Sequence, residues 1–267
     1  MDTLNTFAPV ISAALNGDDL VFTPQEPETK PCFMPPVNVS EAHLPAIFLL
    51  DRSLSNSLNG GDEEMQNSAA AIEASLQNNT KAAGCMDIQI ITFGSEVRVL
   101  QDWVSGTDYH APQLPEADGE TPLYEALDLA LENLQQRRQM YRQLGMNSYV
   151  GTIILVTDGA ATDPERKDAV LARLHDMMHR NKVCIVPTGV GKQADFGDLK
   201  EIADNGPILK AADASNFSEA INYLTDSMSD LLEHSGPSNQ STVVDILKGQ
   251  KEPENPDPND DNCLDMT

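Results

Sequence analysis

Ile47-Phe48-Leu49-Leu50-Asp51-Arg52-Ser53-Leu54-Ser55 decides the reading of this chain. Four consecutive apolar residues read as a strand covered on both faces, and the run stops at a carboxylate followed by two alternating serines. Such a strand belongs in the middle of a parallel sheet, whose carboxyl edge is where open α/β folds bind ligands. Two later segments carry matching chemistry: Gly119-Glu120-Thr121-Pro122-Leu123, and Ile153-Ile154-Leu155-Val156-Thr157-Asp158-Gly159. Carboxylates and hydroxyls at the carboxyl ends of apolar strands are the hard oxygen donors that a small divalent cation prefers. Asp51, Ser53, Ser55, Thr121 and Asp158 are therefore the candidate metal ligands. Mg²⁺ is the expected ion, with Mn²⁺ or Ca²⁺ left open.

The segments between these motifs alternate in period. Residues 45–51 read as the first core strand. Asp62 to Ala83 has helical spacing, with Met65, Ala69, Ile72 and Leu76 on one face and Gly84 as its stop. Met86 to Phe93 reads as a strand and Glu96 to Leu100 as its hairpin partner. A polar loop over 104–121 carries Gly106, Pro112, Pro115 and Gly119. Thr121 opens a helix with Pro122 in its first turn and an apolar stripe of Leu123, Ala126, Leu127, Ala130, Leu131 and Leu134. Tyr149 to Val156 is a second continuous apolar strand. Pro164 to Asn181 reads as a helix capped by Asp163, followed by a strand from Val183 to Val190. A short helix (Asp195 to Asn205), a short strand (Ile208 to Lys210) and a last helix (Phe217 to Glu233) follow. This alternation predicts a doubly wound, mostly parallel central sheet flanked by helices.

The domain reading is an extended N-terminal arm over 1–43, an α/β domain over 44–236 and an acidic, proline-rich tail over 237–267. Pro24, Pro27, Pro31, Pro35 and Pro36 deny the arm a long helix. Lys251 to Asp261 is acidic and almost without apolar residues, so the tail reads as disordered when free. Val243-Val244-Asp245-Ile246-Leu247 before it reads as a docking motif or a frayed helix.

The 267 residues carry a net charge of −25, with 40% of them hydrophobic. That balance argues against nucleic acid or an anionic membrane as partner and suits cations and basic surfaces. Cys32, Cys85, Cys184 and Cys263 are too scattered for a zinc site or a disulfide framework, and Cys85 and Cys184 read as small buried residues at strand starts. No secretion signal or apolar run of membrane-spanning length is visible, so a cytoplasmic location is expected.

Enzymatic motifs are weak. Gly189-x-Gly191-x-x-Ala194 follows a strand, but too late in the fold for a dinucleotide fingerprint. No phosphate-binding loop or nucleophile elbow occurs. Ser53 stands where aspartyl phosphatases place their second carboxylate, so the usual general acid is missing. His175 and His179 are one turn apart without a third ligand. The chain is expected not to be an enzyme.

Asp51-x-Ser53-x-Ser55, a threonine in a later loop and Asp158-Gly159 after a later strand resemble the metal-ion-dependent adhesion site of von Willebrand factor A domains, over roughly residues 44–234. His43 to Asp51 and Thr157 to Asp163 further resemble the bacterial tellurium-resistance (TerY-like) branch. Two positions depart from the family pattern. Leu54 and Asn56 replace the frequent Gly and Met, and Glu120 precedes Thr121 where relatives often have glycine. The resemblance implies that Ser53 and Ser55 touch the cation directly, while Asp51 and Asp158 act through water or through hydrogen bonds to the serines. It also implies that Thr121 can approach or leave the ion, and that the cation takes a carboxylate from an Asp or Glu of a protein partner. Its setting would be a tellurium or chemical stress response with phosphatase or kinase companions. The alternative is an accessory subunit of an AAA+ ATPase or chelatase-type complex. The tail carboxylates are a further candidate for the sixth ligand.

Overall fold

The computed structural model describes residues 40–54, 61–158, 161–190, 196–211, 214–234, 236–237, 242–250 and 263–265. Residues 1–39 of the N-terminal arm read over 1–43, Ser55, the part of Gly189-x-Gly191-x-x-Ala194 after Val190 and most of the acidic tail lie outside them.

Among the described residues seven strands form one sheet in the order β3-β2-β1-β4-β5-β6-β7. They are β1 (Leu44–Asp51), β2 (Met86–Phe93), β3 (Val97–Ser105), β4 (Gly151–Thr157), β5 (Val183–Val190), β6 (Ile208–Ala211) and β7 (Cys263–Asp265). Every neighbouring pair is parallel except β2 and β3. The helices are α1 (Gly61–Asn78), α2 (Thr80–Cys85), α3 (Leu123–Gln143), α4 (Lys167–His179), α5 (Phe196–Ala203), α6 (Ala214–His234) and α7 (Val243–Gln250). Odd and even strand positions feed two separate cores, as the two-residue period of a strand requires. Phe48, Leu50, Ile88 and Val156 pack with Met65, Leu76, Leu224 and Leu247 of α1, α6 and α7. Ile47, Leu49, Ile153 and Leu155 pack with the stripes of α3, α4 and α5. Helices on both faces explain why β1 and β4 are apolar without alternation and buried along their whole length. The doubly wound reading therefore holds.

The topology sets the site. The chain builds outward from β1 to β2 and β3, then returns to add β4 on β1's other side. The order reverses between β1 and β4, and in open sheets the crevice at that reversal is the ligand position.

The expected elements differ from the observed ones in four places. The helix read over 62–83 is two helices, because Asn79 leaves helical geometry and its side chain accepts the Ala82 N–H at 3.0 Å, capping α2. Gly84 lies inside α2, and Cys85 ends that helix half-buried, whereas Cys184 is buried in β5 as expected. Strand β3 runs to Ser105, well past Leu100, because Gln89 of β2 donates to Asp102 (3.0 Å) and Trp103 is buried. Within the tail, Val243 to Leu247, read as a docking motif or a frayed helix, lies in α7 with Val243 and Leu247 fully buried, and Cys263–Asp265 adds the unexpected strand β7; Lys251 to Asp261, read as disordered, lies outside the described residues. Thr242 and Asp245 cap α7 reciprocally: Asp245 accepts the Thr242 N–H at 2.8 Å, and the Thr242 hydroxyl accepts the Asp245 N–H at 3.2 Å.

A buried polar cluster ties α3 to the amino edge of the sheet. Asp87 Oδ2 meets Arg137 Nη2 at 3.0 Å and His43 Nδ1 at 3.1 Å, and accepts the Tyr141 hydroxyl. Arg137 also lies over the rings of Trp103 and Tyr141. Burial pushes the Asp87 carboxyl up, but the His43 hydrogen bond, the Arg137 charge and the Tyr141 hydroxyl outweigh it and hold it low.

Candidate metal centre

Asp51 is the last residue of β1 and has no solvent exposure. Its Oδ1 accepts the Ser53 N–H at 2.8 Å, and its Oδ2 accepts the Thr157 hydroxyl at 2.5 Å. Thr157 is the last residue of β4, so this bond stitches the two strands together at the reversal point. Asp158 follows directly and is 9% exposed, and its Oδ1 is buried with no hydrogen-bond partner among the described residues. A buried carboxylate oxygen left in that state is costly unless something positive reaches it. Burial, with the neighbouring Asp158 charge adding to it, raises the Asp51 carboxyl from 3.8 to about 6 against the hydrogen bonds from Thr157 and Ser53.

The Thr121 loop lies along the segment that follows β1. Asp118 N–H donates to Arg52 O at 2.8 Å, and Arg52 Nε donates to Pro115 O at 2.8 Å. The Arg52 N–H donates to Phe93 O at 2.7 Å, fixing this segment on the end of β2. Gly119 makes the close approach feasible: its φ is +67°, and a Cβ there would sit 2.6 Å from Ser95 backbone atoms. Thr121 is 3% exposed, whereas Glu120 beside it is exposed.

Thr121 is also joined to the loop after β4. Its N–H donates to Thr162 Oγ1 at 3.0 Å, and its carbonyl accepts the Thr162 N–H at 2.9 Å. Asp163 does not cap the turn over Pro164–Arg166 with its side chain. It accepts instead from the first-turn amides of α3, Tyr124 N–H at 3.2 Å and Glu125 N–H at 2.7 Å. The reason is local: Pro122 occupies the cap position of α3 and offers no side-chain acceptor, so the exposed amides take a carboxylate from across the loop.

Four of the five expected ligands, Asp51, Ser53, Thr121 and Asp158, thus stand on the same carboxyl edge of the sheet, held by bonds between their loops. Ser55, the fifth, lies outside the described residues. Thr157, Thr162 and Asp163 were not legible as parts of the site. Thr157 had a signal, since odd positions of β4 share the face of Asp51; the other two depend on contacts across the loops. Among the described residues no group of three or more His, Cys, Asp or Glu gathers to hold a metal, so an ion here would rely on hydroxyls. His175 and His179 turn to separate partners, Glu201 O at 2.9 Å and Asp204 Oδ2 at 2.8 Å. Among the described residues no helix is long and apolar enough to cross a membrane.

Residues 46–160 match the family model of the von Willebrand factor type A domain, a span that contains all five expected ligands. Comparison with curated proteins returns no match. Among solved structures, the von Willebrand factor type A protein from Catenulispora acidiphila aligns with a TM-score of 0.53 at 18% identity, covering 70% of this chain and 43% of that one. The ArnB paralog VWA2 from Sulfolobus acidocaldarius aligns at 0.50 and 17%, covering 68% and 45%. The manganese-loaded TRAP protein of Plasmodium vivax aligns at 0.51 and 19%, covering 67% and 70%. The chain spans less than half the length of the first two. At these identities the likeness establishes the fold.

Proposed function

We propose that this chain, which carries a von Willebrand factor type A domain, holds a divalent cation at the carboxyl ends of β1 and β4 and grips a carboxylate of a protein partner through it. The observation that carries the reading is the Asp51–Asp158 pair: two carboxylates close enough to repel, one with a buried oxygen lacking a hydrogen bond among the described residues, in a rim of hydroxyls. Asp51, Ser53, Ser55, Thr121 and Asp158 are the residues that would hold the ion. Their chemistry fits Mg²⁺ or Mn²⁺, which take oxygen donors and retain positions for outside ligands. When bound, the cation supplies positive charge and an open coordination position for an Asp or Glu side chain. The manganese-loaded state of the Plasmodium vivax protein, which shares the fold, supports a divalent ion.

The chain's own residues do the rest. Asp51 orients Ser53 through the Ser53 amide and hydroxyl. Leu54, 52% exposed beside Ser53, offers the partner an apolar contact next to the carboxylate. No step in this function breaks a covalent bond, in keeping with a binding module and not an enzyme. The stretches His43 to Asp51 and Thr157 to Asp163 support placing the partner in a bacterial tellurium or chemical stress response.

The test is a calorimetric titration of Mn²⁺ and Mg²⁺ into the full chain and into Ser53→Ala/Asp158→Ala. Saturable binding in the wild type and its loss in the variant are expected. A wild type that takes up neither ion overturns the reading. The partner half is tested with a labelled aspartate-containing peptide, expected to bind the Mn²⁺-loaded chain and to be released by EDTA; binding that ignores EDTA refutes it.

A further inference from the structure

We infer that Thr162 and Asp163, which supply no ligand, are the positioning residues that hold Thr121 in register with Asp158, an inference that rests on the metal reading above. Three loops must meet to build the site, and each pair is tied by a different contact. The β1 and β4 ends are joined by Asp51 and Thr157. The segment after β1 and the Thr121 loop are joined through Arg52 and Asp118. The Thr121 loop and the loop after β4 are joined through Thr162 and Asp163, with one exposed ion pair, Arg166 to Glu125 at 3.4 Å, beside them. The four hydrogen bonds of Thr162 and Asp163 close the triangle.

The two residues act on different parts of the Thr121 loop. Asp163 is 7% exposed and fixes the start of α3 by accepting two of its first-turn amides. Thr162 accepts the amide of Thr121 itself and donates its own amide back to the Thr121 carbonyl. The helix cap and the threonine clasp are therefore separable. Removing the Thr162 hydroxyl leaves both Asp163 bonds to α3 and the Thr162 N–H bond to the Thr121 carbonyl in place, and releases the amide of the one residue on that loop expected to touch the ion. A group that orients a ligand without touching the metal typically changes metal affinity by about 10- to 100-fold.

The experiment is Mn²⁺ titration of the full chain as wild type, Thr162→Val, Thr162→Ser and Asp163→Asn, below the melting temperature of each. Thr162→Val, which keeps the side-chain shape, is expected to weaken Mn²⁺ by about tenfold while the apo melting temperature moves little. Thr162→Ser restores the hydroxyl and is expected to bind like the wild type. A purely structural role would instead lower the melting temperature and leave the affinity of the folded protein alone. Should Thr162→Val fail to fold, Asp163→Asn reads the same junction, since an amide there turns a donor toward one helix N–H; weaker Mn²⁺ binding is expected. Wild-type affinity in every folded variant overturns the inference while leaving the metal reading intact. Failure of the wild type to bind Mn²⁺ removes both, and is visible before any variant is compared.

Discussion

Replacing Asp51 by Asn should make the metal-free protein more stable while abolishing the proposed metal site. Burial and the neighbouring Asp158 hold the Asp51 carboxyl at about 6, against 3.8 for an ordinary aspartate. At pH 7 the folded chain must keep this carboxylate charged, which costs about 3 kcal/mol at about 1.4 kcal/mol per pH unit. Asparagine removes the charge and keeps the bonds to the Ser53 amide and to Thr157. Its carbonyl oxygen accepts the Ser53 N–H, and its amide donates to Thr157, whose hydroxyl turns from donor to acceptor. For a chain of this size about 3 kcal/mol corresponds to roughly 6–12 °C in melting temperature.

The pH dependence has a defined sign. The folded state binds the Asp51 proton more tightly than the unfolded state does. The protonated form therefore stabilises the fold fully below about 4, and this contribution is lost as pH rises through about 6. The advantage of Asp51→Asn should be complete at pH 7, shrink through pH 6 and vanish near pH 4. Metal runs the other way: a cation at 100 times its Kd stabilises the wild type by about 2.7 kcal/mol, so saturating Mn²⁺ should nearly close the gap at pH 7. Thermal melts of both proteins at pH 4, 5, 6 and 7, with EDTA or with Mn²⁺, give the assay. A metal-free wild type more stable than the variant at pH 7, or a gap independent of pH, refutes the reasoning.

Two further predictions concern the frame around the site. Arg137→Ala strands the Asp87 charge in the interior and should cost about 3–5 kcal/mol in urea denaturation, whereas Arg137→Met combined with Asp87→Asn should cost clearly less. Leu247→Ala should cost about 2–5 kcal/mol because α7 is part of the core; an unchanged denaturation midpoint would return that helix to the status of a loose tail.

The strands that carry the site were readable because both helix-covered faces leave an uninterrupted apolar signal, as in Ile47 to Leu50 and Ile153 to Val156. Helix faces were readable for the same reason: Met65, Ala69, Ile72 and Leu76 are buried at the spacing that a helix imposes. What failed were features decided by a partner distant in sequence. Strand β3 looked too short because Gln101 and Asp102 break the apolar pattern, yet Asp102 is satisfied by Gln89 on the adjoining strand. Asp163 was assigned to the turn beside it, where a local rule places a cap, but the amides that lacked an acceptor were those behind Pro122. The helix α7 was one of two alternatives read for Val243 to Leu247, and Thr242 and Asp245 at capping-box spacing are the local feature that decides for the helix.

The two edges of the sheet treat a buried carboxylate in opposite ways, and the contrast bears on function. At the amino edge Asp87 is surrounded by groups that favour its charge, chiefly His43 and Arg137, and its carboxyl is held low. At the carboxyl edge Asp51 is met by hydroxyls and an amide, and by a second carboxylate that makes its charge less favourable, so its carboxyl is held high. Both residues are fully buried, so burial alone does not separate them; the neighbours do. A fold that compensates one acid from its own side chains and sets the other beside Asp158 has built an unmet electrostatic demand at the crevice between β1 and β4. A divalent cation would meet that demand with a charge that Arg or Lys cannot match, and would still have coordination positions to offer a partner. In the proposed reading the stability given up at Asp51 in the metal-free chain is the source of the ion's affinity, because binding would relieve the repulsion that folding created.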